Sequence, residues 1–513
     1  MLFSAPGVAQ TGFEPVQFTV NSFTVSGDIP IGVSRAQEVL KPFLGEQYGL
    51  AGLSAAADAL ERDLIDNGYS FHRVNLPPQE LNAGTIEFEV LKFAVGQVKI
   101  SGNQYFDQDN ILHSLPELRE GKTPNTMELS RSLKLANKHA SKNLSLKFLE
   151  GSAEDTIDAA VTVQDRSSQV VFVSLDNSGP KDDNEWRSTV GYQHGNLFNK
   201  DHAITATATF APEDPSATRQ FGVSYHIPMY DHGANLDFLV SDSEIDSGEV
   251  ADDVSVSGAG SVFGATYSRP MLTDTNFNHQ WSVGILSKSF ENDLDIAGNK
   301  VQSDVLSFPL ELGYAFDYTA RSSMITGGIT FATNIDSGSN NTDEDYAAVR
   351  PGAKNDWSAL RYRLGYDLFF AQKWMFHAGL SGQYSSDLLI SGEQFGVGGS
   401  SSMRGFETRS VTGDTGNQLS FEVWSPAFYG VRYLAFVDTA RLEFNSDGAN
   451  VGEDYDVSSF GVGLRWSWKQ QLSISLDYAV INEGVDTDPD TVTGDPVNQD
   501  DDDKAHFNLV YRF

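Results

Sequence analysis

From roughly residue 168 onward, hydrophobic and polar positions alternate with a period of two, in one stretch after another. In 356–370, Leu360, Tyr362, Leu364, Tyr366, Leu368 and Phe370 alternate with Arg361, Arg363, Gly365 and Asp367. In 471–480, Leu472, Ile474, Leu476 and Tyr478 alternate with Ser473, Ser475 and Asp477. The final stretch, 505–513, sets Phe507, Leu509, Tyr511 and Phe513 against Asn508, Val510 and Arg512. This is the period of a β-strand, whose side chains point to opposite faces. An apolar face backed by a charged one reads as a transmembrane barrel strand, with lipid on one side and a polar lumen on the other. Arg363 or Asp367 in lipid would cost several kcal/mol, so the charged set faces inward and the interior is hydrated.

Counting such stretches predicts sixteen antiparallel strands, near 170–178, 185–195, 201–210, 217–227, 233–241, 255–268, 277–290, 301–317, 320–333, 356–370, 373–385, 417–426, 431–440, 455–468, 471–480 and 505–513. Short links at Thr319, Ala371-Gln372 and Lys469-Gln470 alternate with long ones at 334–355, 386–416, 441–454 and 481–504. Short turns belong on the periplasmic side and long loops outside. An even strand number then returns both barrel ends to the periplasmic side.

The first 167 residues have a different rhythm. A strand pattern at Phe18, Val20, Phe23 and Val25 ends at a Gly27-Asp28 turn. Helical stripes follow over Ser34 to Phe43 and Ser54 to Asn67, the second stopped by Gly68. Strands Phe71 to Leu76 and Thr85 to Val90 close the unit. The order strand-helix-helix-strand-strand then repeats, with strands at Gly96 to Ile100, Leu144 to Glu150 and Thr156 to Gln164 and helices at Gln108 to Leu115 and Glu128 to Lys138. Phe23-Thr24-Val25-Ser26-Gly27 matches Val98-Lys99-Ile100-Ser101-Gly102 in pattern and position, so the front end reads as two α/β modules, 16–92 and 93–167. An exposed edge strand in such a module can pair with an extended guest chain. Residues 1–15 read as an N-terminal segment with a signal-peptide remnant, Gly7-Val8-Ala9 marking a cleavage site after Ala9.

Composition narrows the classes. The chain has 513 residues with 46 Gly, 33 Phe and 18 Tyr, as many short strands and an aromatic belt require. Mean hydropathy is -0.30 and no apolar run reaches the roughly eighteen residues of a membrane helix. A net charge of -35 opposes nucleic-acid binding. Acidic runs at Asp182-Asp183, Asp242 to Asp253, Asp343 to Asp345 and Asp500 to Asp503 fall in long loops and read as solvated surface, with divalent cations bridging to lipid head groups as the alternative. Zero Cys removes disulfides and thiol chemistry. The ten His residues show no ligand spacing, and neither a Gly-x-Ser-x-Gly elbow nor a Walker motif occurs. No enzyme, cofactor or metal is expected.

The longest loop, 386–416, carries the candidate chemistry. Its Gly396-Val397-Gly398-Gly399-Ser400-Ser401-Ser402-Met403-Arg404-Gly405-Phe406 run allows tight folding inside a lumen. Arg404 offers a fixed fork of five donors and never deprotonates, so it needs a carboxylate. On strand 431–440 alternation places Arg432, Leu434, Phe436 and Asp438 inward, which makes Asp438 the expected partner; Glu422, inward on the preceding strand, is the fallback.

The chain resembles the two-partner-secretion transporters (TpsB type) of the haemolysin-activator and filamentous-haemagglutinin transporter family. The resemblance rests on the Asn67-Gly68-Tyr69 turn, on Leu76-Pro77-Pro78-Gln79-Glu80-Leu81 with Gly84, and on Pro116 to Gly121 and Arg131 to Asn137. It covers nearly the whole chain. The family's lumenal Val-Arg-Gly-Tyr motif corresponds to Met403-Arg404-Gly405-Phe406, and its Phe-x-Asp-x-Gly strand motif to Phe436-Val437-Asp438-Thr439-Ala440. Phe406 loses a phenolic hydroxyl, and Ala440 adds a methyl where Gly is usual. The resemblance implies two periplasmic POTRA domains, a sixteen-stranded outer-membrane barrel, and export of an unfolded TpsA-like exoprotein by type V secretion. The alternative is a barrel-protein insertase of the same superfamily. The transporter is expected to work as a monomer among outer-membrane lipids and lipopolysaccharide. Some members carry an N-terminal helix in the pore; the sixteen or so residues before the first module, broken by Pro6, Gly7, Gly12 and Pro15, show no such helix. Client contact is expected on the modules near Phe71, Val74, Leu76, Pro77, Pro78 and Gln79.

Overall fold

The computed structural model describes residues 17–513 except 81–83, 180–183, 216–218, 244–247, 252–253, 257–259, 272–275, 291–292, 297–298, 303, 447–453, 470 and 486–497. The Gly7-Val8-Ala9 segment, Leu81, Asp182-Asp183 and Asp253 lie outside the described residues. Residues 17–138 and 142–165 form one compact unit; residues 139–141 and 166–513 form the other.

In the first unit, two three-stranded sheets repeat one topology. Ser22–Gly27 runs parallel to the central Thr85–Lys92, which is antiparallel to His72–Asn75. In the second sheet Ala94–Ser101 runs parallel to Thr156–Asp165, and Lys142–Glu150 antiparallel to it. The sequence match of Gly27 with Gly102 has a steric basis. Both have positive φ, 85° and 88°, and a Cβ at either would lie 2.3 or 2.4 Å from the carbonyl oxygen of Val90 or Val163. Only glycine lets the outer strand turn away there. The helices of the first module, Val33–Leu40 and Ala51–Asp66, bury Ala36, Leu40, Leu53, Ala56 and Leu60 against Phe23, Ile86 and Phe88. The Ser34–Phe43 helix predicted from sequence ends early, because Pro42 allows only a short 3-10 turn over Lys41–Phe43. A strand absent from the sequence reading, Gly45–Tyr48, pairs with Gln17–Val20.

The two modules are joined through the Asn67-Gly68-Tyr69 turn. Thr126 donates its amide and hydroxyl to the Gly68 carbonyl, at 2.8 and 3.0 Å, and the Asn125 amide group donates to the Asn67 carbonyl. Phe71 lies edge-on to Phe148, ring centres 4.6 Å apart.

The second unit is a closed antiparallel barrel of sixteen strands. Numbered β1 to β16, they are Gln169–Asp176, Arg187–Leu197, His202–Phe210, Arg219–Met229, Ala234–Ser243, Gly260–Met271, Phe277–Phe290, Val305–Ser307 continued by Pro309–Thr319, Ser323–Asn334, Ser358–Phe370, Trp374–Tyr384, Thr415–Trp424, Val431–Glu443, Asp454–Trp468, Leu472–Glu483 and Asp503–Arg512. Closure joins β16 to β1. The outward set is exposed and apolar: Phe221, Phe263, Leu312, Leu364, Tyr433, Phe460 and Tyr478 are among them. Among the described residues no helix is long and apolar enough to cross a membrane. The stretches 255–268 and 301–317 overran the barrel. Their first residues belong to hairpins beyond it, Gly248–Ala251 with Val254–Val256 and Asp293–Ile296 with Asn299–Gln302. Alternation alone does not mark where a strand leaves the barrel wall. The long loop 335–357 contains a helix, Asp343–Val349, that the sequence reading omitted.

Candidate functional site: the lumenal loop and its anchors

The loop between β11 and β12 is held at two levels. At its neck, Glu393 is fully buried and meets Lys288 Nζ of β7 at 3.1 Å, Arg361 Nη2 of β10 at 2.8 Å and the Ser307 hydroxyl of β8 at 2.8 Å. Asp414, also without exposure, ties four segments together. It accepts from Arg350 Nη2 at 2.8 Å, from the amide of Leu389 at 2.9 Å and from that of Asn445 at 2.8 Å. Arg350 follows the Asp343–Val349 helix, whose Tyr346 packs with Trp357, Leu389 and Ile390 in one buried cluster.

Farther along the loop, Gly398 and Gly399 take positive φ and a tight turn begins. The Ser402 hydroxyl accepts from the Gly398 amide at 2.9 Å, and the Gly399 amide donates to the Phe406 carbonyl at 3.1 Å. Ser400 and Ser401 point to open space, while Met403, Arg404, Gly405 and Phe406 are buried. Met403 and Phe406 sit among Ala440, Leu442, Val457 and Ile481 of β13, β14 and β15. Burying such side chains contributes roughly 1.5–3 kcal/mol each. Gly405 has φ 98°, and a Cβ there would meet Ala479 and Ser459 at 3.4 and 3.7 Å.

Arg404 makes a bidentate pair with Asp438: Nε to Oδ2 and Nη2 to Oδ1, both 2.7 Å. Nη1 meets Glu422 Oε1 at 2.7 Å, so the two carboxylates weighed in the sequence as alternatives bind one guanidinium together. Ser420 donates to Asp438 at 2.6 Å, and Trp424 Nε1 donates to Glu422 at 2.7 Å. The guanidinium carbon lies 3.5 Å from the centre of the Phe436 ring, a cation–π contact. Ala440 lies in the apolar cluster beside Met403 and Phe406, so its methyl is packed there. The sequence reading missed His506 of β16, whose Nε2 accepts the Gly405 amide at 2.9 Å, and Lys504, which pairs with Glu407. The inward alternation of β16 was the available signal for His506.

On the modules, Val74 and Leu76 pack against the first core, and the Val74 amide donates to Glu61. The Gln79 side chain accepts from the Glu87 amide at 2.8 Å and donates to its carbonyl at 2.8 Å, pinning the Pro77-Pro78 segment to the central strand. Pro78 is exposed, while Phe71 is half-buried against Phe148. Among the described residues no cluster of His, Asp or Glu has metal-binding geometry.

Comparison with known proteins adds the following. The family model described as haemolysin secretion/activation protein ShlB/FhaC/HecB matches residues 155–466, and one described as POTRA domain, ShlB-type, matches 18–92. The heme/hemopexin transporter protein HuxB of Haemophilus influenzae (strain 86-028NP) is 21% identical over 472 residues, 86% of this chain and 79% of its own. The outer membrane transporter CdiB of Dickeya dadantii is 22% identical over 491 residues, 92% and 85% of the two chains. Among solved structures, CdiB from Escherichia coli superposes with a TM-score of 0.71 at 18% identity, covering 99% of this chain and 93% of that one. BamA from Haemophilus ducreyi lacking POTRA domains 1-3 gives 0.51 at 16% identity, covering 97% and 100%.

Proposed function

The chain belongs to the haemolysin secretion/activation family, and on that premise we propose that it exports one partner exoprotein, unfolded, through the lumen of its own barrel. Family membership makes it an outer-membrane transporter for a secreted partner protein, with its N-terminal POTRA domains in the periplasm. The observation that carries the finer reading is the loop 386–416. It occupies a polar lumen without filling it, and Arg404 fixes it there to Asp438 and Glu422. Met403 to Phe406, Phe436, Asp438, Ala440 and Glu422 are accordingly the working motif of the pore.

Client capture falls to residues 16–92 and 93–167, the two modules. Edge strands can accept an extended chain by main-chain hydrogen bonding. With Val74, Leu76 and Gln79 engaged internally, they shape the Pro77-Pro78 surface and Pro78 presents it. The names of relatives suggest the kind of partner, a hemopexin-related or CdiA-like exoprotein. A closed barrel has no free strand edge to share, which favours a monomer surrounded by lipid and lipopolysaccharide. The net charge of -35 opposes nucleic acid as a partner. No catalytic step is needed for such transport.

Deleting the gene in its host tests the reading. Loss of one large protein from the medium is expected. Loss of many barrel proteins from the outer membrane would instead show an insertase. Removing residues 16–92 alone should leave a barrel that inserts but does not secrete.

A further inference from the structure

The outward face of the barrel is mainly apolar, but one cation stands within it on β6. There Phe263 and Met271 are exposed while Val262 and Ser268 are buried, so alternation turns Tyr267 and Arg269 outward as well. The first strand starts from the periplasmic side, so the even-numbered β6 ends there, and Arg269 stands two residues before that end. Directly across from it on β7 is Trp281, which is 36% exposed, and the centres of the Tyr267 and Trp281 rings lie 5.4 Å apart. Phe277, His279, Tyr314 and Phe316 continue the aromatic surface over β7 and β8, with the Tyr314 hydroxyl 3.0 Å from His279 Nδ1. Among the described residues, none bonds to the Tyr267 hydroxyl, the Arg269 guanidinium or the Trp281 indole N–H. The neighbouring outward positions, Ala234, Leu236, Met271, His279 and Val283, include no carboxylate. Other cations near the rims differ. Arg441, outward at the opposite end, meets Glu443 at 2.8 Å, and Lys469 stacks on Trp468 in its turn.

We propose that Tyr267, Arg269 and Trp281 form a binding site for the head group of an anionic phospholipid in the periplasmic leaflet of the outer membrane. A lipid-facing guanidinium is costly at mid-membrane and tolerated near the interface, where it can reach an anion. Tyr and Trp favour the same depth, with the ring among acyl chains and the donor among head groups. Here three free donors of these types stand together without an acceptor in the protein. A phosphodiester supplies what they lack, two charged oxygens matching the planar fork and further lone pairs for the indole and the phenol. Charge complementarity selects the class of lipid. A zwitterionic head group brings an ammonium for which this surface offers no carboxylate, whereas a net negative one needs none. The site depends only on the barrel lying in the outer membrane and is independent of which chain it exports.

The full-length protein, reconstituted in mixed vesicles of phosphatidylcholine and phosphatidylglycerol and extracted in mild detergent, tests the site when the lipids it retains are counted by native mass spectrometry. The native protein is expected to keep phosphatidylglycerol in preference to phosphatidylcholine. Arg269→Gln should lower the retained phosphatidylglycerol roughly tenfold, the order expected for losing a charge-assisted hydrogen bond, and leave phosphatidylcholine unchanged. Arg269→Lys should keep part of it, because the charge remains and the fork does not. Lys373→Gln removes a charge from an exposed turn on the same side of the barrel and should change nothing. Equal retention of the two lipids by the native protein overturns the proposal, as does a fall in Lys373→Gln as large as that in Arg269→Gln. A bound lipid also stabilises the fold it binds. The temperature of the gel-mobility transition should therefore rise with phosphatidylglycerol content in the native protein and stay level in Arg269→Gln; an equal rise in both overturns the site. Should Arg269→Gln fail to insert, Trp281→Phe, which keeps an aromatic ring and removes the N–H, decides: less retained phosphatidylglycerol supports the site, and an unchanged amount overturns it.

Discussion

Arg404 shows how much one residue can carry and how much of it was readable. The single Arg of the Gly- and Ser-rich run 396–406 demanded a carboxylate, and the alternation of 431–440 offered Asp438. The reading from spacing could not see that Glu422 joins the same guanidinium, because that depends on the stagger of β12 against β13, where Glu422 faces Phe436 in register. Nor could it see the guanidinium stacked on Phe436, since ring placement follows from packing. Both carboxylates are sheltered, Asp438 fully and Glu422 at 14% side-chain exposure. Arg404→Ala therefore leaves two carboxylates facing each other, at a cost of roughly 3–5 kcal/mol for a buried pair broken on one side. Secretion is expected to fall further than the amount of barrel in the membrane, measured by the heat-dependent shift in gel mobility. Arg404→Lys should restore only part of it, because an ammonium cannot hold the bidentate pair and the Glu422 contact at once. Equal secretion by the Ala variant and the native protein would remove the anchoring role.

Elements were legible where one rule decided them and obscure where two competed. The barrel strands obeyed a single rule, one face in lipid and one in the lumen, and their number came out correctly. The helix Asp343–Val349 was missed within a long acidic loop, although Thr342-Asp343-Glu344-Asp345 is a capping sequence. The Thr342 hydroxyl accepts from the Asp345 amide, while the Asp345 carboxylate accepts from the Thr342 amide. The strand Ala94–Ser101 hides another device. Its register shifts between Val95 and Val98, and the Asp158 carboxylate of the central strand accepts from the Gln97 amide at 3.0 Å and the Ser152 hydroxyl at 2.8 Å. These bonds, the Gln97 amide first, hold the Asp158 carboxyl below its usual range. A group whose pKa is depressed on folding stabilises the fold above its unfolded value, near 3.8, and that contribution disappears as pH falls through the lower folded value. A soluble fragment of residues 17–165 should thus lose thermal stability on acidification below about pH 4. Asp158→Asn should flatten that part of the pH dependence and lower stability at neutral pH. Parallel pH curves for the two proteins would show that Asp158 does not hold the bulge.

At the scale of the whole molecule, the barrel is as strong as its closing seam, which no local pattern announces. Strands β13 and β14 are in register over thirteen residue pairs, whereas β16 and β1 share only five, from Asn508 opposite Asp176 to Arg512 opposite Phe172. The seam is lengthened by a side chain. Just beyond β1, Asn177 Nδ2 donates to the Ala505 carbonyl at 2.7 Å and its Oδ1 accepts from the Phe507 amide at 2.7 Å, as a strand residue's backbone would. Its own amide donates to the Phe507 carbonyl at 3.3 Å. Asn177 is buried, so truncating its side chain leaves a carbonyl and an amide of β16 without these partners. Net hydrogen bonds contribute about 0.5–1.5 kcal/mol each, and an unsatisfied buried group costs about 1–3 kcal/mol. Asn177→Ala should accordingly lower the temperature at which the folded barrel converts to its slower-migrating unfolded form on a gel. The amides of 505–507 should exchange with deuterium faster than those of β13, while the Arg404 and Gly405 amides stay protected. If the gel transition and the 505–507 amides are both unchanged, the five backbone pairs alone hold the seam closed.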